Sequence, residues 1–364
     1  MRRRTALLLS TFVVALDMGV GACTGTDHGV AGGDAGPPDD TSSTRSEVAT
    51  DGKPADGTAV DATTTDSALP DGDAALPPID VDPKDPKRYD FTFTANEADP
   101  AAKESLGTQG AYVDTRVKSK GVLVVYLHGA GTSAPTSCTN GEMANLVTAM
   151  GYHLFTPCYD SYYGVDICKD DIGGCRLEAF EGIDHTPVID IKPPDAIEPR
   201  IVAAMKLLKT KDPGGDWGYF LDGDAPRWSN IIIAGISHGA ASSGLIGKVR
   251  SVRRVVMFSG PFDVKQKWLA MPSLTPLDRF FGFTHTADPQ HAGHLEAFAT
   301  MNLPGLPTSV DGALPPYGPD GGSHRLETSA ATSDGHSSTQ PGSASPKSGG
   351  AYVFAPVWKY VFGG

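Results

Sequence analysis

From residue 89 onward, the chain alternates stretches typical of strands with stretches typical of helices. Three runs are apolar at every position, namely residues 122–127, 231–234 and 255–258. A strand without polar positions is covered on both faces, as in a parallel sheet with helices above and below it. These runs therefore predict the centre of a mostly parallel sheet.

Four further segments complete this pattern. Residues 89–94 and 112–117 alternate apolar and polar side chains, which predicts half-exposed antiparallel edge strands. Residues 142–150 and 196–209 carry the periodicity of amphipathic helices. The alternation of strands and helices predicts one α/β domain over residues 89–364, with a mostly parallel central sheet flanked by helices.

Residues 1–23 have the organisation of an export signal. Arg2, Arg3 and Arg4 precede an apolar run at residues 6–16, which is typical of a signal peptide. The run is too short for a transmembrane helix, which needs about 20 apolar residues. Residues 20–23, Val-Gly-Ala-Cys, resemble a bacterial lipobox, which would make Cys23 the lipidated first residue of the mature chain. The chain is thus expected in the bacterial cell envelope, lipid-anchored at a membrane, or else secreted.

Residues 24–88 are predicted to be a disordered acidic linker. They contain no Phe, Trp or Tyr, so they cannot form a hydrophobic core. They hold 14 Asp and Glu against 5 Lys and Arg, which gives −9 of the chain's formal net charge of −13. This acidic balance argues against a nucleic-acid partner, which would need a basic face.

Four cysteines lie within the predicted domain, all between residues 138 and 175. An even number of cysteines in an exported chain predicts disulfides, and four allow three pairings. Proximity along the chain favours Cys168 with Cys175 and Cys138 with Cys158. The cysteine spacing does not fit paired zinc knuckles.

The motif Gly235-Ile236-Ser237-His238-Gly239 directly follows the apolar run that ends at residue 234. A G-x-S-x-G sequence between a buried strand and a helix predicts a nucleophile elbow, in which a tight turn exposes the serine hydroxyl. We therefore interpret Ser237 as a catalytic nucleophile.

The strand ending at Leu127 continues into His128-Gly129-Ala130-Gly131. With the elbow, this loop resembles the α/β-hydrolase superfamily. The resemblance implies an oxyanion hole formed by the backbone N–H groups of Ala130 and His238, and a structural role for His128. Further similarity covers most of residues 89–364 and indicates a little-characterised bacterial branch of secreted α/β hydrolases; it includes residues 175–178, 198–200, 216–220, 259–263 and 357–360.

The superfamily order of serine, acid and histidine implies the other two members of a triad. Asp288 is favoured as the acid, with Asp263 as the alternative, because each follows a predicted strand. His336 is favoured as the base because the superfamily places it in the loop after the last strand. His324, within that predicted strand, is the alternative base.

These residues predict a serine hydrolase that acts on carboxylic esters, small or polymeric, through an acyl-enzyme. The alternatives are a non-catalytic surface lipoprotein that uses the scaffold for binding, and a serine peptidase of the same fold. No cofactor is expected, and the histidines at 285, 291 and 294 lack the supporting residues of a metal site. Tyr159, Tyr162 and Tyr163 are interpreted either as pocket residues or as a packed loop.

Overall fold

A computed structural model describes residues 78–82, 84–131, 135–319 and 322–364 of the chain. The described residues belong to one compact unit of the chain, residues 72–364. The predicted export signal, Cys23 and most of the predicted linker lie outside the described residues. Within the described part, no helix has both the length and the apolar character needed to cross a membrane.

Strands and helices alternate along the described chain, as the sequence predicts. The strands are β1 (Arg88–Phe93), β2 (Gln109–Asp114), β3 (Leu123–Leu127), β4 (His153–Thr156), β5 (Leu221–Asp222), β6 (Ala225–Pro226), β7 (Ile231–Ile236), β8 (Arg254–Phe258), β9 (Phe280–His285), β10 (Thr308–Ser309), β11 (Arg325–Thr328), β12 (Lys347–Ser348) and β13 (Ala351–Tyr352). The helices are α1 (Ala95–Ala98), α2 (Gly141–Ala149), α3 (Val165–Cys168), α4 (Ile172–Glu181), α5 (Ile197–Lys211), α6 (His238–Val249), α7 (His291–Thr300), α8 (Gly335–Ser338) and α9 (Ala355–Phe362).

Nine strands form one central sheet in the order β1-β2-β4-β3-β7-β8-β9-β11-β10. All neighbours from β4 to β10 in this order run parallel, whereas β2 is antiparallel to both β1 and β4. This sheet, its flanking helices and a tight turn between β7 and α6 confirm the predicted α/β-hydrolase fold. Parallel order also places the carboxyl ends of β3, β4, β7, β8, β9 and β11 at one edge, where such sheets hold ligands.

Both faces of the sheet are covered, which explains the strands without polar positions. Leu123, Val125 and Leu127 of β3 face one core, which includes side chains from α4, α5, α6 and α7. The alternate residues Val124 and Tyr126 face a second core, with side chains from α2 and α9. Each strand residue is therefore buried on one side or the other.

Two features differ from the sequence-based expectation. All six residues of β2 are buried. This strand lies between β1 and β4 rather than at the edge of the sheet, and α2 packs against β2. Of the two strands that were predicted to be half exposed, only β1 shows that pattern. In addition, the compact unit begins before residue 89, since Ile79 and Val81 pack against the first core.

Candidate active site

Ser237 lies at a sharp turn between the last residue of β7 and the first residue of α6. Its backbone has φ 57° and ψ −118°, a conformation that is strained for any residue with a side chain. Its N–H donates to the carbonyl of Phe258 at 2.9 Å, and its carbonyl accepts from the N–H of Ala241 at 3.1 Å. These bonds stabilise the turn and leave Ser237 partly exposed.

Two glycines allow this turn to pack against β3. A Cβ atom at Gly235 would lie 2.5 Å from the backbone of Gly239. One at Gly239 would lie 2.2 Å from the carbonyl oxygen of Leu127. Any larger residue would push the turn away from the sheet, so close packing explains the G-x-S-x-G spacing.

His336 and Asp288 form the hydrogen bond that a base and its orienting acid require. The distance from His336 Nδ1 to Asp288 Oδ2 is 2.7 Å. Because an ionised carboxylate only accepts hydrogen bonds, Nδ1 carries the proton and Nε2 of neutral His336 is an acceptor. The other carboxylate oxygen accepts from the N–H of Gln290 at 2.9 Å. Asp288 is buried, while the His336 side chain is 30% exposed.

This hydrogen bond shifts the pKa of both groups. It raises the pKa of His336 above the usual 6.5, against the opposing effect of burial. Burial raises the pKa of Asp288, but the hydrogen bonds from His336 and Gln290 outweigh it, so the pKa of Asp288 lies below its usual 3.8. Asp288 is therefore ionised at neutral pH and favours the protonated form of His336.

Ser259 links the histidine loop to the serine turn. It directly follows Phe258, whose carbonyl accepts from Ser237. The Ser259 hydroxyl donates to the carbonyl of His336 at 2.7 Å. Ser237 and His336 are thus both fixed to the carboxyl end of β8, and Asp288 follows β9 at the same edge of the sheet.

The alternative base, His324, lies at the other end of the sheet. Its Nδ1 donates to the carbonyl of Phe280, the first residue of β9, at 2.8 Å, and its ring stacks on Phe281. Six-residue β9 is about 17 Å long at 3.3 Å per residue. His324 precedes β11 rather than lying within it, and these contacts hold it beside the amino end of β9, at the edge of the sheet opposite to the Ser237 turn.

The alternative acid, Asp263, is at the correct edge but has other partners. Its Oδ2 accepts from Arg176 Nε at 2.6 Å and from Trp268 Nε1 at 2.9 Å, and its Oδ1 accepts from Arg176 Nη2 at 2.9 Å. Of the two carboxylates, only Asp288 is hydrogen-bonded to His336. Asp263 therefore belongs to a buried ion pair.

Arg176 connects this ion pair to the serine turn, a role that the sequence motif did not reveal. Its Nη1 donates to the carbonyl of His238 at 3.3 Å and to the hydroxyl of Ser242 at 3.2 Å, both in the first turns of α6. Burial lowers the pKa of Arg176, but the charge of Asp263 outweighs it and the pKa is raised. The pair thus fixes α4 and the loop after β8 against the start of α6.

The predicted oxyanion loop approaches the serine closely. A Cβ atom at Gly129 would lie 3.5 Å from Ser237 Cβ, and Ala130 follows on the exposed part of the loop. His128 Nδ1 donates to the carbonyl of Gly129 at 2.8 Å, and the Tyr159 hydroxyl donates to the carbonyl of His128 at 2.7 Å. These contacts agree with a structural role for His128.

The His238 ring is enclosed and cannot replace His336. It packs edge-on against Tyr163 at 4.6 Å between ring centroids. Burial, and then the positive charge of Arg176, keep the pKa of His238 well below 6.5. His238 is therefore neutral at the start of α6, and only its backbone N–H remains a candidate for oxyanion binding.

The histidines at the end of β9 and in α7 each have at least one ring nitrogen close to a polar group of the protein. His285 Nε2 donates to the carbonyl of Ala330 at 2.7 Å. His291 Nε2 lies 3.3 Å from Glu327 Oε2. Nδ1 of His294 lies 2.8 Å from the Thr284 hydroxyl, and burial lowers the pKa of His294 to about 4.

Two disulfides join the cysteine pairs that sequence proximity favours. Cys138 with Cys158 connects the segment after the oxyanion loop to the end of β4, with 5.3 Å between Cα atoms. Cys168 with Cys175 joins α3 to α4, directly before Arg176. Such bridges are typical of proteins in oxidising compartments.

The three tyrosines after β4 have different environments. Tyr159 and Tyr163 are buried in the core, whereas Tyr162 is 64% exposed. The packed-loop interpretation therefore describes Tyr159 and Tyr163. Of the three tyrosines, only Tyr162 is available for contact with a ligand.

No protein-family model and no curated protein matches the chain. Similar solved structures include a dienelactone hydrolase from Anabaena variabilis, with 14% sequence identity and a TM-score of 0.35 over 69% of this chain and 88% of that one. Another is a tributyrin phosphonate complex of esterase B from Lactobacillus rhamnosis, with 11% identity and a TM-score of 0.34 over 66% of this chain and 75% of that one. Since these similarities are low, the function of the chain is inferred from its own site.

Proposed function

We propose that the chain is a serine hydrolase that cleaves carboxylic esters, with Ser237 as nucleophile, His336 as base and Asp288 as the acid that orients it. The observation that carries this proposal is the 2.7 Å hydrogen bond from His336 Nδ1 to Asp288, at the sheet edge where Ser237 occupies a strained turn. A carboxylate, an imidazole and a serine at such a turn are the components of nucleophilic acyl transfer.

In the first half-reaction, Ser237 Oγ attacks the ester carbonyl carbon and its proton passes to His336 Nε2. The negative charge on the carbonyl oxygen is stabilised by the N–H groups of Ala130 and His238. The bond from carbon to the alcohol oxygen then breaks, and His336 returns the proton to the departing alcohol. An acyl-enzyme and a free alcohol result.

In the second half-reaction, water attacks the acyl-enzyme carbonyl and gives a proton to His336. The bond to Ser237 Oγ breaks as the proton passes to that oxygen, which releases the carboxylic acid. Asp288 stays ionised throughout and stabilises the imidazolium form of His336.

Export to the cell envelope, with lipidation at Cys23 as the anchor, is part of the same proposal. The two disulfides support an oxidising location. The mass of the N-terminal peptide of the exported protein tests it, since a diacylglyceryl or acylated Cys23 is expected and an unmodified cysteine would contradict anchoring.

A series of p-nitrophenyl esters of increasing acyl length tests the proposed reaction. We expect release of p-nitrophenol by the full chain and its loss in Ser237→Ala. Ser243→Ala is the matched control, because Ser243 is a buried serine of α6, the helix that follows the Ser237 turn, and its hydroxyl donates to the carbonyl of Gly239 at 2.8 Å. Turnover that persists in Ser237→Ala, or no turnover of any ester, would refute the proposal.

A further inference from the structure

Phe262 has an exposed surface in the loop after β8, at the edge of the sheet that carries the proposed triad. It follows Ser259, which binds the His336 loop, by three positions, and its side chain is fully apolar. Phe262 is 42% exposed, although residues of this type are usually buried. An exposed aromatic ring at the edge that carries a proposed active site is a candidate contact for the apolar part of a substrate.

One side of the Phe262 ring packs against α7. A Cβ atom at Gly293 in α7 would lie 2.5 Å from Cδ2 and Cε2 of the ring, so the ring packs on the bare backbone of that glycine. On the same helix, the His294 ring lies edge-on to Phe262 at 6.2 Å. The next residue, Asp263, is fixed by Arg176. Phe262 therefore presents an ordered aromatic surface.

The position of the Phe262 ring places it on the side of the site where the alcohol half of an ester would lie. The His294 ring lies 6.4 Å from the His336 ring, so Phe262, His294 and His336 follow one another at the carboxyl edge. The predicted oxyanion loop follows β3, on the opposite side of β7. In the proposed reaction, His336 gives its proton to the departing alcohol, so the alcohol half of the ester must lie on the His336 side.

We infer that Phe262 binds the alcohol half of the substrate, and that the hydrolase prefers esters of bulky apolar alcohols, in particular aryl and arylalkyl alcohols. This inference rests on the proposed function and adds the substrate class. An aromatic ring favours offset or edge-on contact with a second aromatic ring. Gly293 determines the position of this ring, since its lack of a side chain allows the Phe262 ring to pack directly against α7.

The test compares three acetate esters that share one acyl group, namely methyl, benzyl and 2-naphthylmethyl acetate. For Phe262→Ala we expect kcat/KM to fall about tenfold for the two aromatic esters, which corresponds to about 1.4 kcal/mol of lost contact. For methyl acetate, kcat/KM should change less than about twofold. Because each variant is compared with the wild type on the same ester, differences in the reactivity of the alcohols cancel.

A second variant tests the ring position without removing the ring. In Gly293→Ala, the added methyl group must displace Phe262, whereas the helical backbone at this position, in the first turn of α7, accepts alanine. We expect the same selective loss on the aromatic esters as in Phe262→Ala. Phe262→Tyr should retain the wild-type preference. Leu274→Ala is the control for exposed apolar surface, because Leu274 is 63% exposed and its N–H binds the carbonyl of Lys248 near the far end of α6.

The outcomes separate this inference from the proposed function. An equal loss on all three esters, or none, in both Phe262→Ala and Gly293→Ala would overturn the inference while the wild type still cleaves esters through Ser237. A wild type that cleaves no ester would overturn the proposed function and the inference together. A selective loss in both variants, with Leu274→Ala unchanged, supports the assignment of Phe262 to the alcohol half.

Discussion

The buried ion pair between Arg176 and Asp263 gives the sharpest stability prediction. The side chains of both residues are 5% exposed or less, and they are joined by two hydrogen bonds of 2.6 and 2.9 Å. In Arg176→Met the carboxylate of Asp263 remains buried without its counter-charge, which typically destabilises a protein by about 3–5 kcal/mol. At about 2 °C per kcal/mol for a domain of this size, we expect the melting temperature to fall by about 6–10 °C.

The double variant Arg176→Met with Asp263→Asn separates charge from packing. It removes both charges and keeps an acceptor for Trp268 Nε1, which donates to Asp263 at 2.9 Å. We expect the double variant to be more stable than Arg176→Met by about 2 kcal/mol, because no unpaired charge is left in the core. Urea unfolding with the disulfides intact measures both free energies.

Lys206→Met is the control for this prediction. Lys206 forms an ion pair with Asp224, and the two side chains are 51% and 89% exposed. Solvent screens such a pair, so the free energy of unfolding should stay close to that of the wild type. If Arg176→Met lost no more stability than Lys206→Met, or if the double variant were no more stable than Arg176→Met, the reasoning about the buried pair would be refuted.

Two further predictions concern pH. Only neutral His336 can act as a base, and Asp288 raises its pKa above 6.5, so kcat/KM should rise with pH through a value above 6.5. In Asp288→Asn this rise in the pH profile should move to lower pH, and kcat should fall on the order of 10⁴-fold. A rise at the same pH as in the wild type would contradict the role of Asp288. Burial lowers the pKa of His153 to about 4, so the unfolded chain binds this proton more readily and the free energy of unfolding should fall as the pH drops from 6.5 towards 4. His153→Gln, which keeps a donor for the carbonyl of Gly215, should flatten that decline, whereas an unchanged pH dependence would rule out His153 as its source.

The sequence contained enough information for the sheet and for the sharp turn at Ser237 because both depend on local patterns. The apolar run at residues 231–234 identified β7, and the G-x-S-x-G motif directly after it identified Ser237. Asp288 and His336 could be placed only as favoured candidates. The choice between His336 and His324 depends on which end of β9 each residue lies beside. The order and direction of the strands in the sheet determine this, and the number of residues between Ser237 and each histidine does not reveal it.

Other parts of the site depend on contacts between distant segments. Arg176 and Asp263 are 87 positions apart, and a charged pair in a core has no hydrophobic signature in the sequence. Phe262 lies in a short loop, where nothing in its neighbours indicates that its ring packs on Gly293 and remains exposed. The alternation of apolar and polar side chains in residues 112–117 predicts half exposure, but tertiary contacts bury even the polar Asp114 in this segment.

The most direct test of the central claim is peptide mapping after reaction of the full chain with a fluorophosphonate, which modifies activated serines. We expect one modified residue, Ser237, with a labelling rate that falls at least about 100-fold in His336→Ala. His324→Ala, in which the histidine at the opposite end of β9 is removed, should be labelled at the wild-type rate. A modified residue other than Ser237, or labelling that is as fast in His336→Ala as in the wild type, would contradict the assignment of these residues as nucleophile and base.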